Sequence, residues 1–200
     1  MKRIPISLIY LRLVFAVAIV ALALMQPPAY EACIITMMVT GLIADIFDGI
    51  IARRLGNSTP TLRRLDSGVD QLFWVAIVAA SYIINPLFYQ RNWEQIVLLV
   101  FAEALCYSLS YLKFKKEVAT HAIASKFWTL VLLATLIQII ATGDAPVMFQ
   151  ICFYMGIATR LEIILMLLLI RQWTNDIPTV YHAYLIRHNK GIKRHKLFNG

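Results

Sequence analysis

Cysteine is scarce in this chain. Cys33, Cys106 and Cys152 are three in number, lack metal-ligand spacing and each lie inside an apolar run. That excludes a disulfide framework or a thiolate metal site, and leaves them as small buried hydrophobes. Acidic residues are few as well, 11 against 19 Lys and Arg in 200 residues. Strict polar–apolar alternation is missing, which excludes the strands of a membrane barrel. No internal repeat, low-complexity block or soluble domain is visible, nor any matched pair of Gly- or Pro-broken helices, the usual pointer to a transporter site.

What the chain has in excess is apolar residue, 60% of the total with a mean hydropathy of +0.70. A soluble domain of this size has nowhere to bury that much. The expected class is therefore an all-α, polytopic membrane protein, a single domain over residues 1–200 with a basic tail from about 174. Six segments reach the roughly 20 mainly apolar residues that a crossing needs: 5–26, 30–53, 66–89, 92–114, 119–142 and 145–173. The opening "MKRIPISLIYLRLVFAVAIVALALM" has the basic start, apolar run and Ala-Leu-Ala of a secretory signal. Its length and the spans after it favour retention as the first helix.

The basic residues are sorted by side. Lys2 and Arg3 precede the first span, Arg53, Arg54, Arg63 and Arg64 fill the second connection, and Lys113, Lys115 and Lys116 the fourth. The tail adds Arg171, Arg187, Lys190, Lys193, Arg194 and Lys196, while the first, third and fifth connections hold Arg91 alone. Positive connections stay in the cytoplasm, so both termini are expected there. The net charge of +8 thus reads as topology rather than nucleic-acid binding, and the tail suits anionic headgroups.

Against this background, "DIFDGIIARR" (45–54) and "LRRLDSGVDQLFW" (62–74) place four aspartates at span ends. Asp45 and Asp48 lie about 12 and 8 Å inside the cytoplasmic end of the second helix at 1.5 Å per residue. Asp45, Asp48, Gly49 and Ala52 share one helical face, and Asp66 and Asp70 share a face of the next. Four clustered carboxylates repel in a low dielectric, and a divalent cation removes the conflict. Oxygen donors without His or Cys select Mg²⁺, Mn²⁺ or Ca²⁺, and four acids can bridge two ions about 4 Å apart. Gly49 and Ala52 leave room for a ligand or for tight helix packing, and Arg53 can hold a phosphate by paired hydrogen bonds.

The run Asp45-x-x-Asp48-Gly49-x-x-Ala52-Arg53, followed after eight residues by position 62 and then Asp66 and Asp70, resembles the signature of the CDP-alcohol phosphotransferase family. Seven of eight fixed positions match, and Leu62 stands where the signature has its second glycine. The resemblance implies a metal-dependent membrane enzyme of phospholipid synthesis. Such an enzyme moves a phosphatidyl-type group from a CDP-linked lipid, usually CDP-diacylglycerol, to a small alcohol and releases CMP. It implies Asp45, Asp48, Asp66 and Asp70 as ligands of Mg²⁺ or Mn²⁺, with Asp70 also the base, and Asp45, Gly49, Ala52 and Arg53 at the CDP moiety. A bacterial inner membrane, with the site facing the cytoplasm, is the expected setting. A homodimer is left open.

A second polar layer lies deeper. Arg12, Glu103, Lys126 and Arg160 each sit roughly 14 to 17 Å from the cytoplasmic end of their helix. Lys126 and Arg160 are candidates to receive an anionic acceptor. The competing readings are a structural Glu103–Arg160 pair and a snorkelling Arg12. At the level of the whole chain, the alternatives are a cation transporter and a non-catalytic member of the family narrowed by Leu62.

Overall fold

The computed structural model describes residues 4–54, 60–116, 118, 123–174, 177–188 and 190, with side chains at 6–47 and, within those ranges, from 65 onward. The described residues form helices and no strand: α1 (Ile4–Met25), α2 (Tyr30–Arg54), α3 (Pro60–Ile84), α4 (Pro86–Arg91), α5 (Trp93–Phe114), α6 (Ile123–Thr142), α7 (Pro146–Leu169) and α8 (Val180–Arg187). α1, α2, α3, α5, α6 and α7 hold segments of 18 to 24 residues with mean hydropathy 1.5 to 2.6, long and apolar enough to cross a membrane. Val14, Val17, Leu72, Val75, Phe101 and Leu168 are exposed on their outer faces, as expected where the surrounding solvent is hydrocarbon.

One departure from the expected spans has a local cause. The third span ends at Ile84 rather than Tyr89, because Pro86 has no N–H to continue the helix. Asn85 turns the chain there, its side-chain amide donating to the Ile139 carbonyl at 2.8 Å. α8 lies inside the stretch read as tail. Cys106 and Cys152 are buried as expected, but Cys33 is exposed on α2.

The helices group into two compact units, Met1–Arg91 with Leu136–Ala145, and Asn92–Thr135 with Pro146–Gly200. In the first unit α1 packs on α2 and α3. Its buried Ile9, Ala16, Ile19 and Ala23 form one stripe, spaced 7, 3 and 4 residues apart as helical geometry requires. Ile34 and Met38 of α2 and Phe73, Ile77 and Ala80 of α3 are buried with them. Phe73 lies flush on Gly41, where an added Cβ would stand 2.3 Å from the ring.

In the second unit α5 packs on α7, and α7 on α8. Cys106, Ile163, Met166, Leu167 and Ile170 form a core that Ile177 and Ala183 complete. The end of α7 leaves carbonyls without helical partners. Lys113 of α5 donates to three of them, those of Leu167 (2.7 Å), Leu168 (3.0 Å) and Ile170 (2.8 Å).

Candidate functional site

Arg12 enters the first unit from α1 and is 0% exposed. Its guanidinium meets carboxylates from two other helices. Nη1 donates to Asp45 Oδ1 of α2 at 2.5 Å, Nη2 donates to Asp66 Oδ1 of α3, and Nη1 lies 3.4 Å from Asp70 Oδ1. The three carboxylates are about one-third exposed, at 34, 36 and 38%. A guanidinium removed from solvent requires anionic partners, since an unpaired buried charge is among the costliest features a fold can carry. α1 is therefore fixed to α2 and α3 by ionic bonds as well as by its apolar stripe.

Arg12 is neither part of the deeper polar layer nor snorkelling, the two readings its sequence position suggests; it joins the aspartates. The missed signal was depth. Arg12 is nine residues beyond Arg3 and Asp45 eight before Arg53, so at 1.5 Å per residue the two lie at about the same level. The side chains of Asp48, Gly49, Ala52, Arg53 and Leu62 fall outside the described residues. Of the expected acids, Asp45, Asp66 and Asp70 are brought together around one positive group.

The donors suit a hard divalent cation in kind. They are all carboxylates, and three acids face a single guanidinium. As they stand, however, they close on Arg12. Among the described residues no group of three or more His, Cys, Asp or Glu side chains is placed to hold an ion. A shallow groove of about 420 Å³ along α1 and α2, lined by Phe15, Ala32, Cys33, Thr36, Met37 and Thr40, contains no charged side chain.

The second unit holds a separate charged cluster. Arg160 is buried in α7, donating from Nε to Glu103 Oε2 at 2.6 Å and from Nη1 to Thr159 Oγ1 at 2.9 Å. Its guanidinium carbon lies 3.7 Å from the centre of the Trp128 ring, a cation–π contact. The indole N–H is itself fixed, donating to the Cys152 carbonyl at 2.9 Å. The Glu103–Arg160 pair weighed in the sequence is thus present, and Glu103 orients the arginine. Lys126, two residues before Trp128 on α6, is exposed.

No curated protein and no solved structure matches the chain. A family model does. The model for CDP-alcohol phosphatidyltransferase matches residues 2–170, a stretch that includes α1 to α7, the three aspartates and the arginine that binds them. The chain belongs to the CDP-alcohol phosphatidyltransferase family.

Proposed function

We propose that this protein transfers a phosphatidyl-type group from a CDP-linked lipid, CDP-diacylglycerol being the leading donor, to a small alcohol with release of CMP, as a step of phospholipid synthesis. One observation supports this above the others. Asp45, Asp66 and Asp70, which stand at the spacing of the family signature, come from two helices to one place.

Asp45, Asp48, Asp66 and Asp70 would hold Mg²⁺ or Mn²⁺, as one or two ions. The bound cation supplies positive charge to the donor diphosphate, which makes CMP a better leaving group. The remaining work falls to side chains. Asp70 accepts the proton of the acceptor hydroxyl while its oxygen attacks the lipid-side phosphorus. Arg53 pairs with a phosphate through its guanidinium, and Gly49 and Ala52 admit the nucleotide close to the α2 backbone. Lys126 and Arg160 would receive an acceptor that carries negative charge.

The depth of the acids favours a lipid donor. Roughly 8 to 12 Å below a basic connection, they would meet a diphosphate at headgroup level while the acyl chains stay in the bilayer. The same connection, rich in arginine, favours the cytoplasmic side of an inner membrane.

Purified protein with labelled CDP-diacylglycerol, Mg²⁺ or Mn²⁺ and a panel of alcohols should release CMP with at least one acceptor. No CMP with any acceptor, from protein that binds the donor, would leave a non-catalytic family member. Leu62 is the residue to change first in that event.

A further inference from the structure

The charged centre of the first unit contains a cation of its own. Arg12 reaches Asp45, Asp66 and Asp70 with its two terminal nitrogens, and these are the carboxylates proposed above to hold a divalent ion. An oxygen engaged by a guanidinium has less electron density to offer a metal, and two cations sharing the same acids repel. The acids converge on Arg12 and, among the described residues, form no closed set of ligands. Nη1 donates to Asp45 of α2 and lies 3.4 Å from Asp70 of α3, so one nitrogen engages acids of both helices.

We infer that Arg12 is an internal competitor for the ion site: the guanidinium and the divalent cation exchange for the same carboxylates. This rests on the reading that those carboxylates bind a divalent ion. In the ion-free protein Arg12 holds α1, α2 and α3 together and neutralises part of the repulsion among the acids. Ion binding requires it to release Asp45 and Asp70. Arg12 is then a positioning residue that sets the affinity of the site, and by reciprocity the ion loosens the grip of α1. Lysine could not replace it, since one ammonium cannot extend separate nitrogens to two helices as a guanidinium does.

The sign of the effect separates competition from simple support. A purely supporting Arg12 would, on removal, let the acids scatter and weaken ion binding. Under competition, Arg12→Gln binds Mn²⁺ about tenfold tighter than wild type, a coupling of ordinary size between two ligands of one site. Its ion-free form melts at a lower temperature, and saturating Mn²⁺ raises its melting temperature by more than it raises that of wild type.

The experiment titrates detergent-purified protein with Mn²⁺, following free ion by its paramagnetic resonance signal, alongside thermal unfolding with and without the ion. Equal or weaker binding by Arg12→Gln overturns the inference while leaving the wild-type ion site standing. If Arg12→Gln does not yield folded protein, Arg12→Lys decides, with affinity between wild type and full release expected and unchanged or weaker binding overturning the idea. Saturable binding that survives in an Asp45→Asn, Asp70→Asn double variant places the ion elsewhere and removes the inference. Absence of saturable Mn²⁺ binding from wild type and variants alike removes the ion-site reading itself. Binding that emerges only when Arg12 is replaced supports the competition in its strongest form.

Discussion

Arg160 and Trp128 are stacked, with the guanidinium carbon 3.7 Å from the ring centre, while Glu103 and Thr159 fix the guanidinium through Nε and Nη1. A charge held by a ring, a carboxylate and a hydroxyl has little freedom to reorient. Such a side chain presents a fixed cationic point, which suits recognition of an anion. It also suits a structural brace, and the two roles differ in what they do to substrate binding.

Replacing Arg160 by Ala should raise the Michaelis constant for a phosphorylated alcohol about tenfold or more, with a smaller change in kcat, because uniform binding is what is lost. A neutral alcohol acceptor, tested in the same preparation, should be affected far less. Steady-state CMP release against acceptor concentration reads both. An unchanged constant for the anionic acceptor would assign Arg160 to bracing alone.

Gly156 is the residue that lets Trp128 lie where it does. A Cβ there would stand 2.6 Å from Leu99 Cδ2 and 2.8 Å from the indole nitrogen, which is donating to Cys152. The Leu99 methyl can rotate aside but the hydrogen-bonded indole cannot withdraw cheaply, so Gly156→Ala is expected to cost about 1–3 kcal/mol as an overpacked contact. Trp128 should shift with it, seen as a change in tryptophan emission relative to Gly68→Ala, where an added Cβ meets nothing within 4 Å.

Asp70→Asn should leave the helices intact and reduce turnover by about 10² to 10⁴, the usual worth of a positioned base. Chelation of divalent cations should abolish CMP release, and Mn²⁺ or Mg²⁺ should restore it. Full turnover in Asp70→Asn would transfer the proton to another acceptor. Turnover in chelator would detach the carboxylates from ion binding.

The helices were legible from the sequence because apolar length is a strong signal in a membrane protein. α1 and α2 fall within a residue of the expected ends, since Pro27 and Pro28 on one side and Arg53 and Arg54 on the other leave little latitude. The break at Asn85 was not, although Pro86 is plain to see, because the apolar run continues across it and the partner of Asn85, the Ile139 carbonyl, is 54 residues away. α8 escaped because two turns of helix within a basic stretch carry no span-like pattern. What fixes them is the packing of Ala183 and Ile177 on α7. Spacing along a helix puts acids on a shared face, whereas the approach of Arg12 to Asp45, Asp66 and Asp70 depends on a neighbour's rotation, which no single-helix pattern contains.

Lys113 holds the end of α7 in the second unit. The final turn of α7 carries a partial negative charge and unpaired carbonyls. An ammonium has three N–H donors and no acceptor, and Lys113 directs them to Leu167, Leu168 and Ile170. Arg187 of α8 adds a bond to the Leu169 carbonyl at 3.2 Å, so the same helix end is held from two elements. Leu167 and Ile170 also line the core that receives α8, which ties fraying of α7 to release of α8. Lys113→Met keeps the aliphatic stem but removes the donors, and should cost about 0.3–1 kcal/mol, the range for an exposed cation at a helix C-terminus. Hydrogen exchange should quicken at residues 166–170 and 180–187 before it changes in α1 to α3. Lys113→Arg should recover part of the protection. Exchange that quickens equally throughout the chain would mean that Lys113 supports global stability without serving the end of α7.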